Sequence, residues 1–197
     1  KKLIILRIIK FKRKKLKAMV RKGGLMLPGA FNALTAKLIQ RAGFKGVYIS
    51  GAGLNNGAGF PDIGLLTLTE FATMASYIAN ATDLPCVCDA DTGFGEAVNV
   101  SRCVKEMERA GVAGIHIEDQ AFPKRCGHLS GKQLIPVEQM VRKIRAAVLS
   151  REDKNFLIIA RTDARSVEDF DSAVARAKAY AAAGADVIFP EALGSKE

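Results

Sequence analysis

The sequence has no tryptophan, only two histidines and only four cysteines among its 197 residues. So few cysteines in a chain of this length do not suggest a disulfide framework, and we expect a reducing compartment. Long apolar runs are also lacking. Residues 3–9 are mostly apolar, but a run of this length is far too short to span a bilayer. We therefore expect no membrane span.

Acidic residues are absent from the first 61 positions, which carry 14 lysines and arginines. Residues 62–197 carry 16 basic and 20 acidic side chains, so the net charge of +10 comes entirely from the front of the chain. We divide the chain into a basic arm or first helix, residues 1–22, and a body, residues 23–197. The arm fits a solvated helix, a transit-peptide remnant or an anion-binding segment. We expect no nucleic-acid partner.

Short apolar runs alternate with longer helical patterns along the body, which predicts an α/β protein with a parallel sheet. The runs are almost continuously apolar, as in strands that are covered on both faces. Six strands are predicted, at residues 25–27, 47–50, 85–89, 114–118, 156–160 and 186–189. Helices are predicted near residues 32–42, 68–80, 97–110, 136–149 and 167–183, and residues 55–59 are predicted to form a flexible flap.

A weak internal repeat indicates how these units are arranged. A helix end at glycine followed by a strand recurs at Gly43, Gly111 and Gly184, with spacings of 68 and 73 residues. Each spacing corresponds to two βα units of a (β/α)₈ barrel. A doubly wound sheet is the alternative, but no glycine fingerprint follows the first strand. Because only six strands are found, we expect an incomplete (β/α)₈ barrel that lacks its C-terminal units.

Two carboxylates close the third predicted strand. Asp89 and Asp91 are two positions apart and share a face, and Glu118 ends the next strand in the same region. Carboxylates this close repel each other unless a cation lies between them, and an all-oxygen ligand set favours Mg²⁺ or Mn²⁺ over zinc. Alternatively, Asp91 caps the next turn and Asp89 pairs with a lysine. Spacing alone does not decide between the two.

A loop rich in reactive groups follows the fourth predicted strand. It combines two carboxylates, two cations, a thiol and an imidazole: Glu118, Asp119, Lys124, Arg125, Cys126 and His128. Cations lower the pKa of a thiol, so we interpret Cys126 as an acid–base group on a mobile loop that closes over substrate. The alternatives are a solvated loop or a Cys/His nucleophile. His116, in mid-strand, is interpreted as structural.

Five motifs in order resemble the isocitrate lyase/phosphoenolpyruvate mutase superfamily, from about residue 24 to residue 193. They are CDADTGFG at 88–95, HIEDQ at 116–120, KRCGH at 124–128, ARTDA at 160–164 and FPEA at 189–192. Within the superfamily, the chain most resembles the lyases that act on 2-methylisocitrate. Phe189 favours this branch, because lyases for unmethylated isocitrate have a bulkier aromatic residue at that position.

The resemblance implies a Mg²⁺-dependent carbon–carbon lyase that cleaves 2-methylisocitrate into pyruvate and succinate, a step of the methylcitrate cycle in propionate catabolism. It implies a metal site at Asp89 and Asp91, with Asp62 nearby. The implied catalytic residues are Cys126, Tyr48, Glu118 and Arg161, and the implied substrate-binding residues are Ser50, Gly51, Ala52, Cys126, Gly127, Arg161 and Glu191. A homo-oligomer, by resemblance a tetramer, in the cytoplasm or the mitochondrial matrix is also implied.

Three alternatives stay open at this point. The first is isocitrate lyase proper. The second is a phosphonate or oxaloacetate enzyme on the same scaffold, which the thiol of the KRCGH motif disfavours because those relatives lack it. The third is an inactive fragment whose basic arm binds anionic surfaces, which would show salt-sensitive binding without turnover.

The strand count leads to a prediction about chain length. In an unclosed barrel, the first and sixth strands expose unpaired N–H and C=O groups, so residues 1–197 alone are expected to aggregate and to be inactive. A chain extended by about 60–100 residues, the remainder of a typical ~250-residue barrel, is expected to fold and to release pyruvate. Expression of both lengths tests this. A stable, active monomer of residues 1–197 would contradict it.

Overall fold

A computed structural model describes residues 2–194 of the protein, except for the side chains of residues 2 and 4. Strands and helices alternate along the chain, as the sequence predicts. The strands are β1 (Gly29–Ala30), β2 (Val47–Ile49), β3 (Cys86–Asp89), β4 (Gly114–Glu118), β5 (Leu157–Thr162) and β6 (Val187–Pro190). The helices are α1 (Lys2–Lys22), α2 (Ala33–Arg41), α3 (Gly51–Gly57), α4 (Leu68–Ala81), α5 (Ala97–Ala110), α6 (Val137–Ser150), α7 (Ala164–Val167) and α8 (Phe170–Ala182).

The six strands form one parallel sheet in the order β1-β2-β3-β4-β5-β6. Strictly sequential order is the arrangement of a barrel wall, whereas a doubly wound sheet reverses its order at a switch point. The parallel sheet predicted from the sequence is therefore confirmed. Within residues 2–194, β1 and β6 do not pair with each other, so the wall stays open between them.

Three local predictions are wrong. The first strand lies at residues 29–30 instead of 25–27, because the ladder begins where Tyr48 N donates to Pro28 O at 2.9 Å. Leu25 and Leu27 are apolar for another reason: they pack against the cluster around Leu16. The predicted flap at 55–59 overlaps the helix α3, and the helix predicted over 167–183 begins three residues later, because Asp169 is the N-cap of α8.

Helix α1 covers the amino ends of the strands. Leu16 is fully buried there and packs in one cluster with Val87, Ala113 and Leu157. Two cations of α1 are also buried: Lys12 Nζ donates to Ala79 O at 3.0 Å, and Arg13 Nη2 donates to Glu108 O at 2.7 Å. These basic residues therefore fasten α1 to the body. No helix in the described part of the chain combines the length and the apolar character needed to cross a membrane.

The main core lies between the sheet and the helices outside it. Helix side chains such as Phe71, Met107 and Ile144 pack on the outward-facing strand residues, among them Cys88 and Ile115. All four cysteines are free thiols, in agreement with the expectation of no disulfide framework. The core leaves the opposite end of the strands, their carboxyl ends, available for polar side chains.

Candidate active site

The carboxyl ends of the strands surround a cavity of about 430 Å³, the end at which (β/α)₈ barrels carry their active sites. Nine of the eleven site residues predicted from the sequence line it: Tyr48, Ser50, Ala52, Asp89, Glu118, Cys126, Gly127, Arg161 and Glu191. The other two, Gly51 and Asp91, lie behind Asp89 and donate their backbone N–H groups to its carboxylate.

Parallel register sets the side chains of neighbouring strands next to one another. Asp89 of β3 is in register with His116 of β4, and Glu118 of β4 with Arg161 of β5. Arg161 Nε therefore lies 3.4 Å from Glu118 Oε2, and Arg161 Nη1 lies 3.3 Å from Glu191 Oε2. The guanidinium thus bridges two carboxylates across three strands while its remaining surface faces the cavity.

A second cation, Lys124, lies among the carboxylates on the other side of the cavity. Its ammonium forms ion pairs with Asp62 and, at 2.7 Å, with Asp91 Oδ1. Neither oxygen of Asp91 has a well-aligned hydrogen-bond partner in the described residues, and Glu118 Oε1 has none either. The site therefore holds buried carboxylate oxygens whose capacity to bind a cation is not used up.

Burial and mutual repulsion give the carboxyl groups of Asp89 and Asp91 different pKa values. Burial, followed by the charge of Asp89, raises the pKa of Asp91 to about 7. Burial also opposes the charge of Asp89, but its charged neighbours and the N–H of Asp91 outweigh it and lower the pKa of that carboxyl. The first of these neighbours is His116, whose Nε2 lies 3.4 Å from Asp89 Oδ1, followed by Lys124. Asp89 is thus the ionised member of the pair.

These residues fit a hydrated magnesium ion. In the described part of the chain, no three Asp, Glu, His or Cys side chains lie close enough to enclose a metal by themselves. Mg²⁺ does not need such a cage, since it keeps several waters and binds through one or two carboxylates. Asp91 Oδ2, which has no hydrogen-bond partner among the described residues, and the ionised Asp89 supply the oxygen ligands that it prefers.

The turn from β2 into α3 has a different role from the one predicted for Gly51. Ser50 is the N-cap of α3, and its Oγ accepts from Gly53 N at 3.1 Å. The N–H of Gly51 donates to Asp89 Oδ2 at 3.3 Å, and a Cβ at this position would lie 2.5 Å from the same oxygen. Gly51 therefore lets α3 approach Asp89, and Ser50 and Ala52 are the residues of this turn that face the cavity.

Tyr48 and His116 form a stacked pair beneath the cavity. Tyr48 Oη lies 2.7 Å from His116 Nε2, and the rings are 5.6 Å apart and nearly parallel. Burial and the charge of Asp89 raise the pKa of Tyr48, so its hydroxyl stays protonated. His116 is buried beneath the cavity, and its spacing of two from Glu118 in one strand places both residues on the same face of the sheet.

The segment 124–134, which we call the thiol loop, covers the cavity from the side of β4. Cys126 is partly exposed, whereas the other three cysteines are buried. The flanking cations contact other groups: Lys124 pairs with the carboxylates, and Arg125 Nη1 donates to Ser130 O at 3.3 Å. The chemistry of Cys126 therefore depends on where the loop places it over the cavity.

Comparison with known proteins agrees with this architecture. Residues 16–197 match the family model described as phosphoenolpyruvate phosphomutase. The chain belongs to the phosphoenolpyruvate mutase/isocitrate lyase superfamily. It is 59% identical over 169 residues to the probable 2-methylisocitrate lyase 2 of Corynebacterium glutamicum, an alignment that covers 86% of this chain and 55% of that protein. The chain thus spans about half the length of the curated relatives that it matches.

Solved structures show the same superfamily fold. A crystal structure of 2,3-dimethylmalate lyase has a TM-score of 0.89 and 37% identity, and the match covers 94% of this chain and 64% of that one. A structure of phosphonopyruvate hydrolase in complex with oxalate and Mg²⁺ has a TM-score of 0.85 and 37% identity, with coverages of 93% and 64%. The family and the barrel-type fold predicted from the five motifs are confirmed.

The aspartate pair leads to a prediction on metal binding. Since the folded state raises the pKa of Asp91 to about 7, its contribution to stability is present at low pH and is lost as the pH rises through that value. Mg²⁺ would offset this loss by binding the ionised form. A concentration a hundredfold above the dissociation constant adds about 2.7 kcal/mol, or roughly 5–10 °C in melting temperature at this size. We expect this shift at pH 8.5 and almost none at pH 5.

Thermal unfolding with and without Mg²⁺ at the two pH values measures the effect. Asp89→Asn, which keeps the shape of the ligand and removes its charge, is expected to abolish the shift. An equal shift at both pH values, or an undiminished shift in Asp89→Asn, would show that the ion binds elsewhere.

Proposed function

We propose that the protein is a Mg²⁺-dependent carbon–carbon lyase that cleaves 2-methylisocitrate into pyruvate and succinate. The observation that carries the proposal is the position of Cys126, whose thiol lies at the same cavity as a buried carboxylate cluster and a fixed guanidinium. A metal site alone would suit many reactions of the superfamily. A thiol at the same cavity adds a proton donor, which the cleavage of a carbon–carbon bond requires.

The cavity suits a small polycarboxylate. Its volume of about 430 Å³ lies within the usual range for small-molecule sites. Lys124, Arg161 and His128 are the basic side chains on its wall, and Phe189 and Leu27 supply an apolar part. Arg161 Cζ lies 5.5 Å from the centre of the Phe189 ring, so a carboxylate bound by Arg161 would place a neighbouring methyl group near an apolar surface.

Asp89 and Asp91 are the residues that would hold Mg²⁺, directly or through water. When bound there, the ion withdraws electron density from the substrate hydroxyl and its adjacent carboxylate, which makes the hydroxyl easier to deprotonate. Lys124 neutralises the excess negative charge of these carboxylates before substrate arrives. Mn²⁺ has the same ligand preference and is proposed as a substitute.

Glu118 is the base that the geometry favours. Burial raises the pKa of its carboxyl above the ordinary range, and Arg161 opposes that shift. Its Oε1 is unpartnered, so it can accept a proton. Tyr48, with its raised pKa, remains a hydrogen-bond donor and orients the substrate or Asp89. A carboxylate whose pKa is raised binds a proton more strongly than an exposed one, which favours it as a general base.

The proposed reaction is a retro-aldol cleavage. Glu118 takes the hydroxyl proton, the oxygen electrons form the carbonyl of pyruvate, and the electrons of the broken carbon–carbon bond stay on the departing succinate carbon. The Cys126 thiol donates its proton to that carbon. The resulting thiolate recovers a proton through solvent or from Glu118, which returns both groups to their starting states. Arg161 holds the carboxylates throughout.

Product analysis tests the substrate. Retro-aldol cleavage of 2-methylisocitrate gives pyruvate and succinate, whereas unmethylated isocitrate gives glyoxylate and succinate, and 2,3-dimethylmalate gives pyruvate and propionate. We expect pyruvate and succinate to form fastest, and only with Mg²⁺ or Mn²⁺ present. Preferential release of glyoxylate or propionate would assign the protein to another lyase of the superfamily. Activity that survives exhaustive chelation would contradict the metal requirement.

The role of the thiol leads to a separate prediction. Cys126→Ser keeps the size of the side chain but raises its pKa far above that of a thiol, so turnover is expected to fall by roughly three orders of magnitude, within the ~10²–10⁴ range for acid–base groups. Cys103→Ser is the matched control, because Cys103 is buried in α5 away from the cavity. Equal turnover in the wild type and in Cys126→Ser would remove the thiol from the mechanism.

A homo-oligomer and a location in the cytoplasm or the mitochondrial matrix stay predictions from the family resemblance. Neither is needed for the chemistry described, because every proposed catalytic group comes from this chain. Sedimentation of the purified protein would measure the oligomeric state, for which we expect a tetramer.

A further inference from the structure

A buried lysine near the end of the thiol loop has no part in the mechanism described above. Lys132 keeps only 3% of its side chain exposed. Its ammonium donates to Gly127 O at 2.6 Å and to Asp163 Oδ1 at 2.9 Å. One acceptor belongs to the thiol loop and is the neighbour of Cys126, and the other follows the end of β5. The ammonium therefore ties the loop to the sheet.

Asp163 is at the same time the residue that orients Arg161. Its two carboxylate oxygens accept from Arg161 Nε and Nη2, both at 3.0 Å. Its own N–H donates to Asp119 Oδ1 at 3.0 Å, and its side chain is completely buried. Burial opposes its charge, but the hydrogen bonds and charges of Arg161 and Lys132 more than compensate and lower the pKa of the carboxyl. Asp163 is thus an ionised, fixed anchor.

Gly127 completes this set of contacts, because it lies directly against the guanidinium that Asp163 holds. A Cβ at this position would collide with Arg161 Nη2 and would lie 3.0 Å from the carboxyl carbon of Glu191. Glycine at 127 therefore lets the loop lie against Arg161 while Asp163 holds the guanidinium. Lys132, Asp163, Arg161 and Gly127 form a closed ring of contacts beside the thiol.

We propose that Lys132 is a positioning residue whose ammonium holds the thiol loop against Asp163, a contact that we call the strap. The buried carboxylate of Asp163 then fixes the positions of both the substrate-binding guanidinium of Arg161 and the proton-donating thiol of Cys126. This inference rests on the proposed function, because it deepens the roles of Cys126 and Arg161. Loss of the strap leaves Arg161 bound to Asp163 but releases the loop. Cys126 then becomes more accessible and spends less time over the cavity.

Alkylation of Cys126 reports the position of the loop without any need for turnover. Cys86, Cys88 and Cys103 are buried, and burial raises the pKa of each of these three thiols, so iodoacetamide should modify Cys126 first. In Lys132→Met, which keeps the length of the apolar stem and removes the ammonium, we expect the rate to rise about tenfold. Such a change corresponds to one lost charge-assisted hydrogen bond of about 1.4 kcal/mol. Measuring the alkylation rate across pH separates two explanations. Greater access to the thiol raises the plateau of the rate at high pH, whereas an altered thiol pKa moves the midpoint of the pH profile.

Lys12→Met is the matched control. Lys12 is a buried lysine like Lys132, but it lies at the opposite end of the barrel. Its ammonium donates to two backbone carbonyls, Ala79 O and Thr82 O. Both variants are expected to melt at lower temperatures, and only Lys132→Met should expose the thiol. Equal acceleration in Lys12→Met would mean general loosening, and an unchanged rate in a folded Lys132→Met would mean that Lys132 does not hold the loop. Either result overturns the proposal.

Two further measurements sharpen the test. If Lys132 and Asp163 act as one unit, Lys132→Met combined with Asp163→Asn should accelerate alkylation no more than the faster single variant, whereas independent effects would multiply. With 2-methylisocitrate, Lys132→Met should lower kcat more than it changes KM, and Lys12→Met should leave kcat unchanged. If neither the wild type nor any variant releases pyruvate, the proposed function is wrong. The alkylation rates still decide whether Lys132 holds the thiol loop.

Discussion

The concentration of buried negative charge at the carboxyl ends of the strands is the constraint on which the site depends. Asp62, Asp89, Asp91 and Glu118 lie within reach of one ammonium group, that of Lys124. Burying unpaired charge is costly, and a protein relieves that cost by pairing, by protonation or by binding a cation. The first two are visible here, since Lys124 pairs with Asp62 and Asp91, and Asp91 takes up a proton near neutral pH.

This arrangement is possible because stability and function are carried by opposite ends of the strands. At the amino ends, α1 buries Leu16 against the sheet and uses Lys12 and Arg13 to satisfy carbonyl groups of neighbouring helices and loops. At the carboxyl ends, close backbone approach matters more than apolar packing. Gly51 lets α3 reach Asp89, and Gly127 lets the thiol loop rest on Arg161. A side chain at either glycine would separate the groups that must meet.

The sequence supports the prediction of strands and strand-end residues much better than that of the contacts between loops. Periodicity places Asp89, Glu118 and Arg161 at strand ends, and parallel pairing then brings them together with no further information. The first strand was misplaced because apolar residues that pack on a helix look the same as apolar residues in a ladder. Helix α3 was missed because glycine and asparagine are poor helix formers, and here the Ser50 cap and tertiary contacts override that weak propensity.

The partners of individual cations are the least predictable part, because they depend on a fold in three dimensions. Lys124 and Arg125 flank Cys126 in the chain and suggested a thiol activated by local charge, yet both point elsewhere. The lysine that fixes the thiol is Lys132, six residues away and without any motif that would single it out. A reactive group on a loop can thus be controlled by position as much as by electrostatics. In this site, Lys124 pairs with the carboxylates, Arg125 donates to a carbonyl of its own loop, and the thiol depends on the strap that places it.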